Sequence, residues 1–139
     1  MDASSMAAAG FRLSILALAC AGCTSVTARQ ATFDGTRWHV MTVNGQATPS
    51  AGDYSMQFVR GTVSARFGCN LIGGRYSALG ETLRTFEIHS TLMGCPEPAA
   101  TFEKAGSAVI TSPMQIRWSG ETRLTLSNSN GSIALERMP

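Results

Sequence analysis

The sequence predicts an α+β protein: one small domain with a strongly curved, barrel-like antiparallel sheet and a single helix. Two patterns support this prediction. Apolar residues alternate with polar ones over several short segments separated by turn residues, which is typical of strands with one buried face. After Pro96 the spacing changes to three and four residues, which is typical of an amphipathic helix. An apolar segment precedes the domain and indicates export.

The export segment lies before the domain, in residues 1–22. Its apolar core, Leu13 to Ala19, is too short to span a bilayer but has the length of a signal-peptide core. Ala21-Gly22 before Cys23 resembles a bacterial lipobox, so we expect Cys23 to be lipidated and residues 23–32 to form a flexible tether. Cys20 is a weaker candidate for the lipidated cysteine, and translation starts at either Met1 or Met6.

The strands of residues 33–138 are predicted from the alternation of apolar and polar residues, which repeats every two positions. In the first, Trp38, Val40 and Thr42 are predicted to face inward. The later predicted strands are Tyr54 to Arg60, Thr62 to Phe67, Gly73 to Ala78, Thr82 to Ile88, Met114 to Trp118, Thr122 to Leu126 and Ser132 to Glu136. Because Trp38 and Trp118 both lie within predicted strands, we expect both rings to pack in the core rather than to stack on a ligand.

The predicted helix follows Pro96 and carries an apolar stripe. Ala99, Phe102, Ala105 and Val109 form this stripe, and Ser112-Pro113 ends the helix. Glu97 precedes the first turn, where a carboxylate interacts favourably with the positive end of the helix dipole.

Composition excludes some classes of function. The chain carries eleven Lys and Arg against nine Asp and Glu, a net charge of +2 without runs of like charge. A nucleic-acid-binding protein would concentrate basic residues on one face, so we expect no nucleic-acid partner.

Two cysteines, Cys69 and Cys95, lie within the domain. In an exported protein an even pair favours a disulfide, and closing its loop would contribute about 3–4 kcal/mol on the loop-entropy model. A metal site is the weaker alternative, because the two cysteines lack CxxC spacing and the histidines His39 and His89 are far apart in sequence. We expect no metal and no cofactor.

The order of motifs resembles the META domain, the family that includes the HslJ heat-shock lipoprotein. The motifs are Gly35-Thr36-Arg37-Trp38, Gly68-Cys69-Asn70 with Gly74-Arg75-Tyr76, Ser90 to Pro96, Phe102, and Leu124-Thr125-Leu126. The resemblance covers about residues 33 to 137. Ala65, where a glycine is usual, and the displaced helix acids Glu97 and Glu103 depart from the pattern. The resemblance implies a small envelope or lipid-anchored protein linked to stress or drug tolerance, and it implies no established activity.

Candidate functional residues are few. Gly68 and Asn70 are candidates for a binding loop, but a turn pinned by a disulfide is the favoured explanation, and Asn70 is expected in a left-handed conformation. His89 lies close to Ser90 and Thr91 in sequence, but no carboxylate is evident to orient it as in a triad. Glu97 and Glu103 fall on nearly opposite faces of the helix and form no carboxylate pair. We therefore expect no catalytic residues and no enzyme.

Three hypotheses of function remain. The leading one is a non-enzymatic lipoprotein of the cell envelope, anchored through its lipid in the outer membrane and facing the periplasm. It would bind a protein or another envelope component, in connection with stress or antibiotic tolerance. The alternative is a small-molecule or lipid carrier that uses the interior of the curved sheet. The third is a hydrolase with cysteine or histidine chemistry, which would require a free thiol at Cys69 or Cys95.

Overall fold

The computed structural model describes residues 32–139, and these form a closed antiparallel barrel with one helix. The predicted signal segment, the lipidation sites Cys20 and Cys23 and most of the tether lie outside the described residues. The strands are β1 Thr36–Val43, β2 Gln46–Ala47, β3 Asp53–Val59, β4 Thr62–Gly68, β5 Leu71–Leu79, β6 Thr82–Ser90, β7 Met114–Trp118, β8 Arg123–Asn128 and β9 Gly131–Arg137. The helix α1 spans Ala99–Ile110.

The sheet closes because β1 pairs with β3 on one side and with β9 on the other. The remaining strands pair in chain order from β3 to β9, so every strand except the short β2 belongs to the ring. The β6–β7 seam is short, with only two residue pairs, and α1 is the connection between these two strands. Among residues 32–139 we find no helix with the length and apolarity needed to cross a bilayer.

The barrel interior is filled by side chains of the predicted inward faces. In β1, Trp38 and Val40 are fully buried, but a bulge between Val40 and Thr42 shifts the register against β9. Val43 is therefore the buried residue, and the prediction of Thr42 as an inward position was wrong. The core also holds Phe33, Tyr54, Met56, Phe58, Val63, Ala65, Phe67, Ile72, Tyr76, Ala78, Leu83, Phe102, Val109, Ile110, Met114, Ile116, Leu124, Leu126, Ile133 and Leu135.

The two tryptophans differ in burial. Trp38 is completely buried, as predicted, whereas Trp118 remains 37% exposed, so the prediction of a core position for Trp118 was wrong. Trp118 is the last residue of β7, and its ring packs at 5.9 Å from Trp38 and 5.8 Å from Phe33 between ring centroids. It thus covers the edge of the aromatic core rather than filling it.

The buried face of α1 is centred one position later than the sequence predicts. Phe102, Gly106, Val109 and Ile110 are buried, and Ala105 is only partly buried against the core. Gly106 lies on the ring of Phe67, since a Cβ atom built at Gly106 would stand 2.5 Å from ring carbons of Phe67. The missing side chain therefore sets how closely the helix approaches β4.

Replacing Gly106 by alanine is expected to destabilise the protein by about 1–3 kcal/mol, because an added methyl group must displace a buried aromatic ring. In an exposed helix the same change would stabilise the protein by up to about 1 kcal/mol. The sign of the change in stability therefore shows whether Gly106 is closely packed. Urea unfolding measures it, with Ser107→Ala as the neighbouring control. A more stable G106A variant would show that the helix does not pack this closely.

Tyr76 lies in the core and donates a hydrogen bond to Asp34 Oδ1 at 3.4 Å. The same carboxylate oxygen accepts the backbone N–H of Gly61 at 3.2 Å. Burial, followed by the charge of Asp34 and this hydrogen bond, raises the pKa of Tyr76 to about 12. Burial also raises the pKa of Tyr54.

Stability is therefore expected to fall at alkaline pH. Tyr76 ionises more readily in the unfolded chain, so its contribution is complete below pH 10 and is lost as the pH rises from 10 towards 12. Urea unfolding between pH 8 and 11.5 would measure the loss, and Tyr76→Phe should flatten the curve, leaving the smaller part due to Tyr54. A pH dependence unchanged in Y76F would contradict this account.

Candidate functional site

The turn between β4 and β5 is built around Gly68. Its φ of +121° is in the region that favours glycine, and a Cβ atom there would stand 2.7 Å from the Cβ of Ala99 and 3.0 Å from the hydroxyl of Tyr54. Glycine thus lets the start of α1 lie directly on the turn. Asn70 does not adopt a positive φ, so the expected left-handed conformation of Asn70 was wrong; Gly68 provides the reversal instead.

The side chain of Asn70 is only 3% exposed and bonds both to the segment before α1 and to α1 itself. We call this residue the hub of the region. Its Nδ2 donates to the carbonyl of Met93 at 3.0 Å and to Glu103 Oε1 at 2.6 Å. Its Oδ1 accepts the hydroxyl of Thr91 at 2.9 Å and the backbone N–H of Met93 at 2.7 Å. Two donors and two acceptor sites are the full capacity of an amide side chain, so Asn70 is committed to internal bonds.

Glu103 joins helix α1 to the same hub. Its Oε2 accepts the backbone N–H of Asn70 at 2.8 Å, in addition to the bond from the Asn70 amide to Oε1. Hydrogen bonds to a carboxylate are stronger than neutral ones, so this pair fixes the helix against the β4–β5 turn. Glu97 instead accepts the backbone N–H and the hydroxyl of Thr101. The two carboxylates have separate partners, in agreement with the prediction that they form no pair.

The predicted disulfide joins Cys69 to Cys95, with the two Cα atoms 5.9 Å apart. It ties the turn after β4 to the segment before α1, immediately beside Asn70. The disulfide and three of the four side-chain bonds of Asn70 therefore hold the same stretch of chain, Thr91 to Cys95, which we call the 91–95 loop.

The 91–95 loop presents apolar side chains to solvent while its backbone is held. Leu92 is 96% exposed and Met93 is 58% exposed, although the backbone of Met93 makes two hydrogen bonds to Asn70. Thr91 is fixed as well, because its N–H donates to the carbonyl of Leu71 and its hydroxyl lies 3.0 Å from the N–H of Leu71. No pattern in the sequence indicates this exposure, because it depends on the long-range bonds that hold the loop.

The other predicted candidates lie apart from this hub. The ring of His89 covers Gly73, where an added Cβ atom would stand 2.8 Å from Nε2, and Nδ1 of His89 lies 3.4 Å from the carbonyl of Glu87. The hydroxyl of Thr91 is directed to Asn70, so the structure does not bring it together with His89.

Comparison with known proteins agrees with this fold. A sequence model of the META domain matches residues 31–138, nearly all of the described chain. The chain belongs to the META-domain family. A search of curated proteins gives no match.

Two solved structures are similar to this META domain, and both are NMR structures. One has a TM-score of 0.68 and 18% sequence identity, and the match covers 77% of this chain and 92% of that chain. The other, a protein from Burkholderia xenovorans, has a TM-score of 0.64 and 18% identity over 99% of this chain and 95% of its own. At this identity the likeness shows a shared fold and carries no function with it.

Proposed function

We propose that this META-domain protein is a non-enzymatic, lipid-anchored protein of the bacterial cell envelope and that its 91–95 loop binds a protein partner. The observation that carries the proposal is the 96% exposure of Leu92 on a loop held by a disulfide and by Asn70. Leu92 and Met93 are adjacent in the loop and both exposed, and adjoining exposed apolar side chains mark interaction sites more often than a single one does. A rigid loop also loses little entropy on binding.

The placement in the envelope rests on the sequence and on the disulfide. The lipobox-like Ala21-Gly22-Cys23 supports a lipid anchor, and Thr24 after it supports outer-membrane sorting towards the periplasm. A disulfide in the domain suits an oxidising compartment. A role in stress or antibiotic tolerance is part of the same proposal, and the resemblance to envelope stress proteins supports it.

We also propose that the protein is not an enzyme, because the side chains that a hydrolase would use are engaged in other contacts. The thiols that a cysteine hydrolase would need are joined to each other, and the hydroxyl of Thr91 is bonded to Asn70. His89 contacts the carbonyl of Glu87 rather than a nucleophile. These contacts favour a binding protein over a hydrolase.

The carrier alternative has no support in the described residues. The barrel interior is occupied by large side chains, with Trp38, Phe58, Phe67 and Leu126 at zero exposure. Cavities of about 160 to 420 Å³ are open to solvent, and one of about 160 Å³ has the core residues Val43 and Phe102 in its lining. An interior ligand would therefore have to displace core side chains.

Photo-crosslinking in living cells tests the proposal. A photoreactive amino acid at Leu92 is expected to give a specific adduct with an envelope protein, and the same residue at Leu79, a 50% exposed leucine at the end of β5, is not. Adding Met93→Ser should weaken the Leu92 adduct. Identical adducts from both positions, or none from Leu92 in cells under envelope stress, would contradict the proposal.

A further inference from the structure

Three metal-ligating side chains converge beside Asn70. Within the described residues, the sulfur atoms of Cys69 and Cys95 and a carboxylate oxygen of Glu103 all lie within 4.8 Å of one another. Glu103 Oε2 is 3.3 Å from Sγ of Cys95. We propose that reduction of the disulfide turns this cluster into a binding site for a thiophilic divalent cation such as Zn²⁺. Its ligands are the two thiolates and the Glu103 carboxylate.

The conversion is a two-electron reduction followed by ion exchange. A dithiol reductant supplies two electrons and two protons and becomes a disulfide itself, while the Cys69–Cys95 bond breaks and leaves two thiols. The cation then forms two metal–sulfur bonds and displaces both thiol protons to solvent, because the thiolate is the ligand. The disulfide and the metal site are therefore mutually exclusive states of the same pair.

The spacing of the cysteines suits a shared ion. Two thiolates on a tetrahedral Zn²⁺ with bonds of about 2.3 Å stand about 3.8 Å apart. The Cα atoms of Cys69 and Cys95 are 5.9 Å apart. Small rotations of the two side chains therefore suffice to separate the reduced sulfur atoms to the spacing that the ion requires. Gly94 is exposed, which leaves solvent a way to a fourth coordination position.

The carboxylate is already oriented for coordination. The backbone N–H and the side-chain amide of Asn70 hold the two oxygens of Glu103 at 2.8 and 2.6 Å. Such outer-shell hydrogen bonds fix a ligand's direction and are a regular part of metal sites. Nδ2 of Asn70 also lies 3.5 Å from Sγ of Cys95, so the same amide borders two of the three ligands.

The donor set selects the cation. Two sulfur ligands and one carboxylate oxygen suit a borderline-soft ion such as Zn²⁺. Hard cations such as Mg²⁺ prefer oxygen ligands and should not occupy the site.

Cobalt titration of the full chain in detergent tests the inference. After reduction with dithiothreitol and its anaerobic removal, the protein is expected to bind one Co²⁺ with sulfur-to-cobalt charge-transfer absorption, which Zn²⁺ abolishes and Mg²⁺ does not. The oxidised protein, Cys69→Ser and Cys95→Ser should lack this absorption. Glu103→Gln should weaken Co²⁺ binding at least about tenfold, whereas Glu97→Gln, whose carboxylate bonds to Thr101, should not.

Tryptophan fluorescence reports whether the reduced chain stays folded, because Trp38 is buried in the folded protein and Trp118 packs against it. If reduction unfolds it, Zn²⁺ is expected to restore the native emission, since metal binding then supplies folding free energy. Any of three results of the cobalt titration would overturn the inference: cobalt binding without thiolate absorption, equal binding by the oxidised protein, or unchanged affinity in E103Q. A reduced chain that Zn²⁺ cannot refold would do the same.

Discussion

Replacing Asn70 by alanine is expected to destabilise the protein by at least about 3 kcal/mol, because it removes both the donors and the acceptor at the centre of the site. Oε1 of Glu103 and the backbone of Met93 lose their partners together, while the backbone N–H of residue 70 still bonds to Oε2 of Glu103. Unpaired groups at a buried position are costly. Urea unfolding measures the loss. Asn130→Ala, which removes the hydrogen bonds of an exposed amide, should cost about 1 kcal/mol or less.

Exchanging the amide of Asn70 with the carboxylate of Glu103 separates the effect of losing hydrogen bonds from the effect of losing side-chain volume. Asn70→Asp keeps the shape but places a second carboxylate against Glu103, so it should destabilise strongly at neutral pH. Combining N70D with Glu103→Gln supplies an amide donor from the helix instead, and this double variant should recover part of the stability. If N70D and N70A are both within about 0.5 kcal/mol of the parent protein, Asn70 does not hold the loop.

Removing the disulfide is expected to have the second large effect. The bond closes a segment of 26 residues, for which the loop-entropy model gives about 3.5 kcal/mol. The double change Cys69→Ala with Cys95→Ala should therefore lower the free energy of unfolding by about 3–4 kcal/mol while leaving the Asn70 bonds to hold the folded loop. Urea unfolding of the oxidised parent and the double variant measures it.

Treatment with a reductant is the matched control for that experiment. Reduction of the parent protein should lower its stability by a similar amount and leave the double variant unchanged. A parent protein whose stability is insensitive to reduction would show that the bond does not form. Non-reduced peptide mapping that finds two free thiols would show the same.

Much of the fold follows from local patterns. Alternation of apolar and polar residues identified the strands, because inward and outward positions alternate along a strand. The predicted alternation is observed throughout β3 and β4, and in β1 as far as the bulge after Val40. The pairing of β1 with β9, which closes the barrel, is not contained in such a pattern, since alternation states which face is buried but not which edges meet. Gly106 was missed because a packing position made by the absence of a side chain leaves no apolar signal.

The site was less predictable than the fold. The sequence singled out Gly68 and Asn70 and paired Cys69 with Cys95, and the disulfide is confirmed. The partners of Asn70 come from a loop 23 residues away and a helix 33 residues away in sequence. Such long-range hydrogen bonds depend on tertiary packing, so neither Glu103 nor the exposure of Leu92 could be read from neighbouring residues.

Hydrogen exchange at the Met93 amide tests the central claim most directly, namely that the 91–95 loop is held while its side chains face solvent. The Met93 N–H bonds to Asn70 Oδ1 at 2.7 Å, so we expect marked protection although its side chain is 58% exposed, with that protection lost in N70A. Exchange of the Met93 amide at the rate of an unstructured peptide would contradict the claim, because Leu92 would then lie on a loose loop.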